Sequence, residues 1–210
     1  MSGSAPIVSP YCLALTGGIA CGKSTVGTEL AKMGLRRVDS DLVARLVVEP
    51  GTPGLGSLVE AFGSGILAPD GTLDRAAMGS LVFVDPSART KLESILHPLI
   101  WESMALSVQQ AHDEACETVF EIPLLFEKGS QNRFSTVWVV SAPLEVQLQR
   151  LRARDGFSEE EALARIRSQM SVLEKAAMAD FVLENDGDRA KLLEQISQGL
   201  ALWRSTREAP

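Results

Sequence analysis

Gly17-Gly18-Ile19-Ala20-Cys21-Gly22-Lys23-Ser24 is the stretch that decides the fold. Its spacing, Gly17 and then Gly22-Lys23-Ser24, fits the phosphate-binding pattern G-x-x-x-x-G-K-[ST]. Ahead of it, Tyr11 to Thr16 is an apolar run of strand length. Behind it, Ser24 to Met33 holds no proline and places Val26, Leu30 and Met33 at helical spacing. The reading is strand, glycine loop, helix. Glycines give such a loop its unusual dihedrals and close backbone approach. Loop N–H groups and the helix N-terminus then face an anion. Lys23 is expected to reach β- and γ-phosphates, and Ser24 to offer its hydroxyl to Mg²⁺. The implied ligand is a nucleoside triphosphate.

The 210 residues suit one α/β domain with room for an inserted subdomain. Cys12, Cys21 and Cys116 are the three cysteines and form no C-x-x-C pair. That argues against a disulfide framework or a zinc site and suits a reducing cytoplasm. Residues 1–10 carry no Lys or Arg and read as a frayed tail, not a signal peptide. No apolar run approaches the length of a membrane span. A formal charge of −7 disfavours general nucleic-acid binding. Small phosphorylated ligands need only local positive charge, and Arg150, Arg152, Arg154, Arg165 and Arg167 concentrate it.

Strand-length apolar runs recur at 11–16, 36–38, 117–122, 136–141 and 181–183, mostly separated by helix-like stretches. This is the pattern of a parallel sheet covered by helices. The interval 42–115 interrupts it. A helical pattern (Leu42, Val43, Leu46, Val47) breaks at Pro50 to Gly54, and short segments follow, punctuated by Gly63, Gly65, Pro69-Asp70-Gly71 and Pro86. Leu73-Asp74 opens a helix, and a longer helical stretch is expected after Pro98. The interval reads as a mostly helical insertion. Residues 144–179 read as helix, turn at Asp155-Gly156, then helix, with a capping box at Ser158 to Glu161.

Arg37-Val38-Asp39-Ser40-Asp41 puts two carboxylates where ligands gather in an open parallel sheet, beyond a strand's carboxyl end. Asp39 or Ser40 suits a helix cap. Asp41 is expected about one turn inside the helix, where capping is less apt; a carboxylate there can accept a proton from an attacking hydroxyl or hold a metal-bound water. Arg150 and Arg154, four apart, share a helix face, and a hairpin with inward arginines could close over ATP. Arg152 and Arg167 read as solvated partners of Glu159 to Glu161. After the run Thr118 to Ile122, Leu124, Leu125 and Phe126 form an apolar wall, with Glu127 placed to orient an arginine. His97-Pro98 is more readily packed or capping than catalytic. Ala179 to Gly187 is a last strand and turn suited to nucleotide-base contacts. Cys21 lies at a helix N-terminus, where thiol pKa falls, and is read as a small loop residue.

Together these motifs resemble the dephospho-coenzyme A kinase family from Leu13 to about Gly187. The resemblance rests on Leu15-Thr-Gly-Gly-Ile19 with Gly22-Lys-Ser24, Val38-Asp-x-Asp41 with Ala44-Arg45, and His97-Pro98. It continues through Pro123 to Glu127, Gln147 with Arg150 and Arg154, Arg165 with Gln169, and Ala179-Asp180 with Asn185 and Gly187. It implies a P-loop kinase fold, a five-stranded parallel sheet flanked by helices. The core would be residues 11–41 and 116–210, the helical acceptor domain 42–115, and the helical lid 145–175. ATP·Mg²⁺ is then expected on Gly18, Ala20, Cys21, Gly22, Lys23, Ser24 and Thr25, with Arg154 and Asn185 as further nucleotide contacts. The ribose 3′-hydroxyl of dephospho-coenzyme A would attack the γ-phosphate, with Asp41 as base and Lys23 and Arg150 stabilising charge. Asp41, Arg45, His97, Leu124 and Glu127 would meet the acceptor. No nucleic-acid or membrane partner is implied; the chain would be cytoplasmic, a monomer or weak homo-oligomer.

The chain departs from the family pattern in places. Ala20-Cys21 stands where Gly-Ser or Gly-Cys is usual, and a positive φ at Ala20 would cost roughly 1 kcal/mol. Ser40 replaces a common Ala, and Glu121 stands where Asp is frequent; neither is expected to touch a residue named above. A nucleoside monophosphate kinase would share loop and lid but is expected to lack the His97-Pro98 and Pro123 to Glu127 set. A non-catalytic nucleotide switch would carry a base-specificity motif such as N-K-x-D, absent here.

Overall fold

The computed structural model describes residues 8–208. Strand β1 (Cys12–Gly17) is buried along its whole length. A parallel strand covered by helices on both faces needs no polar alternation, which is why CLALTG reads as one continuous run. Helix α1 (Lys23–Lys32) follows the glycine loop, and β2 (Arg36–Asp39) follows α1. Strand β1 lies between β3 (Thr118–Glu121) and β4 (Thr136–Ser141), with Leu13 opposite Val119 on one side and Thr136 on the other. Strand β5 (Phe181–Glu184) extends the sheet beside β4. The order is β2-β3-β1-β4-β5, a five-stranded parallel sheet as expected. Gly17 is forced by packing, since a Cβ there would sit 2.6 Å from the Val140 carbonyl oxygen.

The chain forms two compact units, one reaching Val38 and resuming at Val108, the other Asp39–Ser107. The second unit holds α2 (Ser40–Leu46), α3 (Pro53–Phe62), α4 (Arg75–Val84) and the start of α5 (Pro86–Asp113). Thr52 caps α3 by accepting the Leu55 N–H, with Pro53 at the first helical position; Asp74 caps α4. Its core is Val48, Leu58, Ile66 and Met78, with Phe62, Leu92 and Leu96 packed against them.

In the first unit, α6 (Leu144–Asp155), α7 (Glu159–Arg167) and α8 (Val172–Ala177) separate β4 from β5, and α9 (Arg189–Glu208) follows. Leu13, Leu15, Trp138, Val140 and Leu183 of the sheet pack with Val26 and Leu30 of α1 and with Leu192, Ile196 and Leu200 of α9. Each such buried side chain contributes about 1.5–3 kcal/mol relative to exposure.

Four expectations are corrected. The long helix starts at Pro86 and runs through Pro98. Pro86 is well placed as a first helical residue, Asp85 accepts the Ser87 N–H, and Pro98 removes a single hydrogen bond of a 28-residue helix. Past the Gly156 turn there are two helices, because Ser171 and Glu174 build a second capping box. Asp41 is the second residue of α2, within its first turn. The frayed tail stops before Ser9, which is buried and whose carbonyl accepts the Cys12 N–H at 3.1 Å and the Ser135 hydroxyl at 3.0 Å. The rest of that expectation, up to residue 7, lies outside the described residues.

Candidate active site

The loop between β1 and α1 turns on two left-handed residues, Ala20 at φ 59° and Gly22 at φ 95°. Ala20 therefore carries the strain anticipated for it, about 1 kcal/mol. Gly22 is obligatory on a second count, because a Cβ there would lie 2.1 Å from Asn185 Nδ2. No side chain caps α1. Among the described residues, the N–H groups of Ala20, Gly22, Lys23 and Ser24 donate to nothing. Free amides at a helix N-terminus, in a loop of left-handed turns, suit a polyphosphate.

Side chains far apart in sequence hold this loop. Asn185, buried at the end of β5, donates from Nδ2 to the Cys21 carbonyl at 2.8 Å. Its Oδ1 accepts from Arg150 at 3.1 Å, and the same guanidinium donates to the carbonyls of Ala20 (3.5 Å) and Cys21 (3.4 Å). Gln169 accepts the Ile19 N–H at 2.9 Å. Lys175, fully buried in α8, pairs with Glu127 at 2.8 Å and donates to the carbonyls of Gly17 (3.3 Å) and Pro123 (3.2 Å). Lys23 pairs with Glu121 at 3.0 Å, and Arg37 pairs with the other oxygen of that carboxylate. Beside the loop a cavity of about 610 Å³ is lined by Gly22, Thr25, Arg150, Asn185, Gly187 and Arg189, among others. Ser24 and Thr25 are exposed there at the start of α1.

The remaining expected residues divide between the two units. In the first, Leu124 is exposed while Leu125 and Phe126 are buried. Glu127 meets a lysine, Lys175, where an arginine was expected, and also accepts the Met170 N–H at 3.2 Å. Arg154 turns to its neighbour Asp155 at the surface, Arg152 reaches Glu159 at 3.7 Å, and Arg165 lies over the Phe157 ring. In the second unit, Asp39 caps α2 by accepting the Asp41 N–H at 2.9 Å. Asp41 and Arg45 are exposed on that helix and His97 is half-buried in α5.

Cys21 is a small buried loop residue as expected, but its thiol does not show the lowered pKa of a helix N-terminus. Fully buried, its thiol is pushed up by desolvation, which outweighs the backbone amides and Arg150 that favour the thiolate. Lys175, Glu121, Arg37 and Gly27 were missed. An acid in an otherwise apolar strand is the signal the sequence offers for Glu121, and its ion pair with Lys23 overturns the expectation that it touches no residue of the site. Lys175 offered no local signal.

No group of three or more His, Cys, Asp or Glu is assembled for a metal among the described residues. The exposed Ser24 hydroxyl at the start of α1 fits a Mg²⁺ bound chiefly through nucleotide phosphates, an ion that needs few ligands from protein. Nor is any helix among them long and apolar enough to cross a membrane.

A glycine loop between the central strand and its helix, a parallel sheet of order 2-3-1-4-5, and an arginine helix against the loop define a P-loop kinase. Within that class the chain belongs to the dephospho-CoA kinase family, whose profile matches residues 11–191. It is 43% identical to the dephospho-CoA kinase of Geobacter metallireducens, over 93% of this chain and 96% of that one. Against the dephospho-CoA kinase of Anaeromyxobacter dehalogenans the figure is 45%, over 93% of each. The solved dephospho-CoA kinase from Campylobacter jejuni superposes with a TM-score of 0.73 at 29% identity, covering 93% of this chain and 98% of that one.

Proposed function

We propose that the chain transfers the γ-phosphoryl group of ATP to the ribose 3′-hydroxyl of dephospho-CoA, giving CoA and ADP, with roles for its residues as follows. The free amides of Ala20, Gly22, Lys23 and Ser24 bind the phosphates, and Lys23 with Arg150 meets the negative charge on the transferring group. Asp41 accepts the proton of the 3′-hydroxyl as its oxygen bonds to the γ-phosphorus and the bond to the bridging oxygen breaks. The Ser24 hydroxyl would hold Mg²⁺, which when bound would neutralise phosphate charge. The nucleoside lies in the cavity of Gly22, Arg150, Asn185 and Gly187. Gly18 and Cys21 shape the same loop, the exposed Thr25 lines its cavity, and Arg154 joins it when α6 and α7 close as a lid. Arg45, His97, Leu124 and Glu127 serve the acceptor, whose domain is the helical insertion. The setting is the cytoplasm.

The single observation that supports this reading most is the loop with its unclaimed amides, braced by Arg150 and Asn185. The test is ADP release from ATP·Mg²⁺ with dephospho-CoA, AMP or adenosine as acceptor, in wild type and Asp41→Asn. Release that requires dephospho-CoA and falls at least about a hundredfold in Asp41→Asn is expected. Survival of turnover in the variant would remove Asp41 as base, and preference for AMP would replace the acceptor.

A further inference from the structure

We propose that Glu121 is a positioning residue for Lys23, and that Gly27 is the gap in α1 that admits it. The proposal rests on the reading above only in taking Lys23 to act on phosphate. Glu121 closes β3 with its side chain fully buried. A carboxylate in that position requires partners, and it has one cation for each oxygen. Oε2 accepts from Lys23 Nζ at 3.0 Å, and Oε1 accepts from Arg37 Nε. With both oxygens engaged, the carboxylate cannot rotate without losing a partner.

Helix α1 passes directly over this group. A Cβ at Gly27 would sit 1.8 Å from Glu121 Oε1, 2.6 Å from its Cδ and 3.2 Å from Arg37 Nε. Glycine is the poorest helix former after proline, and Gly27 has no positive φ that would call for it. Room for the carboxylate is what it provides. Gly27 lies four residues beyond Lys23, so the two share a helix face. One turn of α1 thus carries the phosphate-binding lysine and the gap for the acid that holds it. An aspartate, shorter by one methylene, would not fill that gap.

The experiment is a double-mutant cycle of Gly27→Ala and Glu121→Asp. Alone, Gly27→Ala displaces the carboxylate, and kcat is expected to fall at least tenfold with KM for dephospho-CoA within twofold of wild type. Alone, Glu121→Asp is expected to lower kcat as well. Combined, the shorter acid makes room for the new methyl group, and kcat is expected to rise at least threefold above Gly27→Ala. Glu121→Asp is therefore harmful in the wild-type background and helpful in the Gly27→Ala background, a reversal that shows the two side chains share one space. A fall in kcat with the urea-unfolding midpoint held is the readout that a merely packing role would not give. Equal harm in both backgrounds, or kcat within twofold of wild type for Gly27→Ala, would overturn the proposal. If Gly27→Ala does not fold, Glu121→Gln decides it: a tenfold loss of kcat supports the proposal, and a change under twofold overturns it.

The same four proteins are titrated with ATP by calorimetry. A wild type with no acceptor-dependent turnover would remove the proposed function, and the affinities would then decide the coupling. Departure from additivity of at least fivefold supports it, and additivity overturns it.

Discussion

The root of the phosphate loop and the hairpin of α6 and α7 belong to one unit and are both rich in charge, yet they use it in opposite ways. At the root, Lys175 is fully buried and meets Glu127 and two carbonyls, and Lys23 and Arg37 share the buried Glu121. On the hairpin, Arg154 and Arg152 lie at the surface and pair with acids within reach of water. The same residue types are structural where solvent is excluded and nearly free where it is not. A buried cation cannot be removed without stranding its partner, whereas an exposed one is replaced by water and salt. This contrast leaves the hairpin arginines available to a ligand while the loop root stays fixed.

Breaking the buried side has the largest expected effect. Lys175→Met strands Glu127 and the Gly17 and Pro123 carbonyls, and should cost about 3 kcal/mol in urea unfolding. A loss under about 1 kcal/mol would mean the root is not held this way. Next comes a titration. Burial pushes the Cys12 thiol up to about 11 from its ordinary value of 9.0. The folded chain thus holds that proton more tightly than the unfolded one. The resulting stability is complete below pH 9 and is lost as pH rises through 11, on the order of 3 kcal/mol at most. Unfolding midpoints from pH 8 to 11 should decline less steeply in Cys12→Ala.

Asn185→Ala removes two hydrogen bonds of the loop brace and should cost about 1–2 kcal/mol while weakening ATP binding, measured by calorimetry. The smallest effect belongs to the exposed side. Arg154→Ala should change stability by less than about 0.5 kcal/mol, as for other surface pairs. A fall in kcat without a fall in stability is the expected signature of a closing lid, and unchanged turnover would remove Arg154 from the nucleotide site.

What could be read in advance follows the same division. Strand β4 spans 136–141 as expected, because a strand buried on both faces leaves an unbroken apolar run. The phosphate loop was legible because its residues are contiguous and its flanks have distinct periods. The braces were not legible, since Asn185 lies 164 residues from Cys21 and Lys175 lies 158 from Gly17. Pairings over such distances exist only once the sheet has formed. Local rules failed where tertiary burial outweighed them. Cys21 sits at a helix N-terminus and still has a raised pKa. Pro98, after which a helix was expected to begin, lies inside one for another reason, since a long helix tolerates one lost hydrogen bond. Glu121 was visible as an oddity in its strand, but its two cations were not.

The most direct measurement is the rate of CoA formation from ATP·Mg²⁺ and dephospho-CoA, with the new phosphate located by phosphorus NMR. Wild type, Lys23→Met and Arg152→Ala are to be compared side by side. Phosphate on the ribose 3′-oxygen, lost at least about a hundredfold in Lys23→Met and kept within twofold in Arg152→Ala, is the predicted result. Phosphate at another position would contradict the reaction, and equal losses in the two variants would contradict the division between buried and exposed charge.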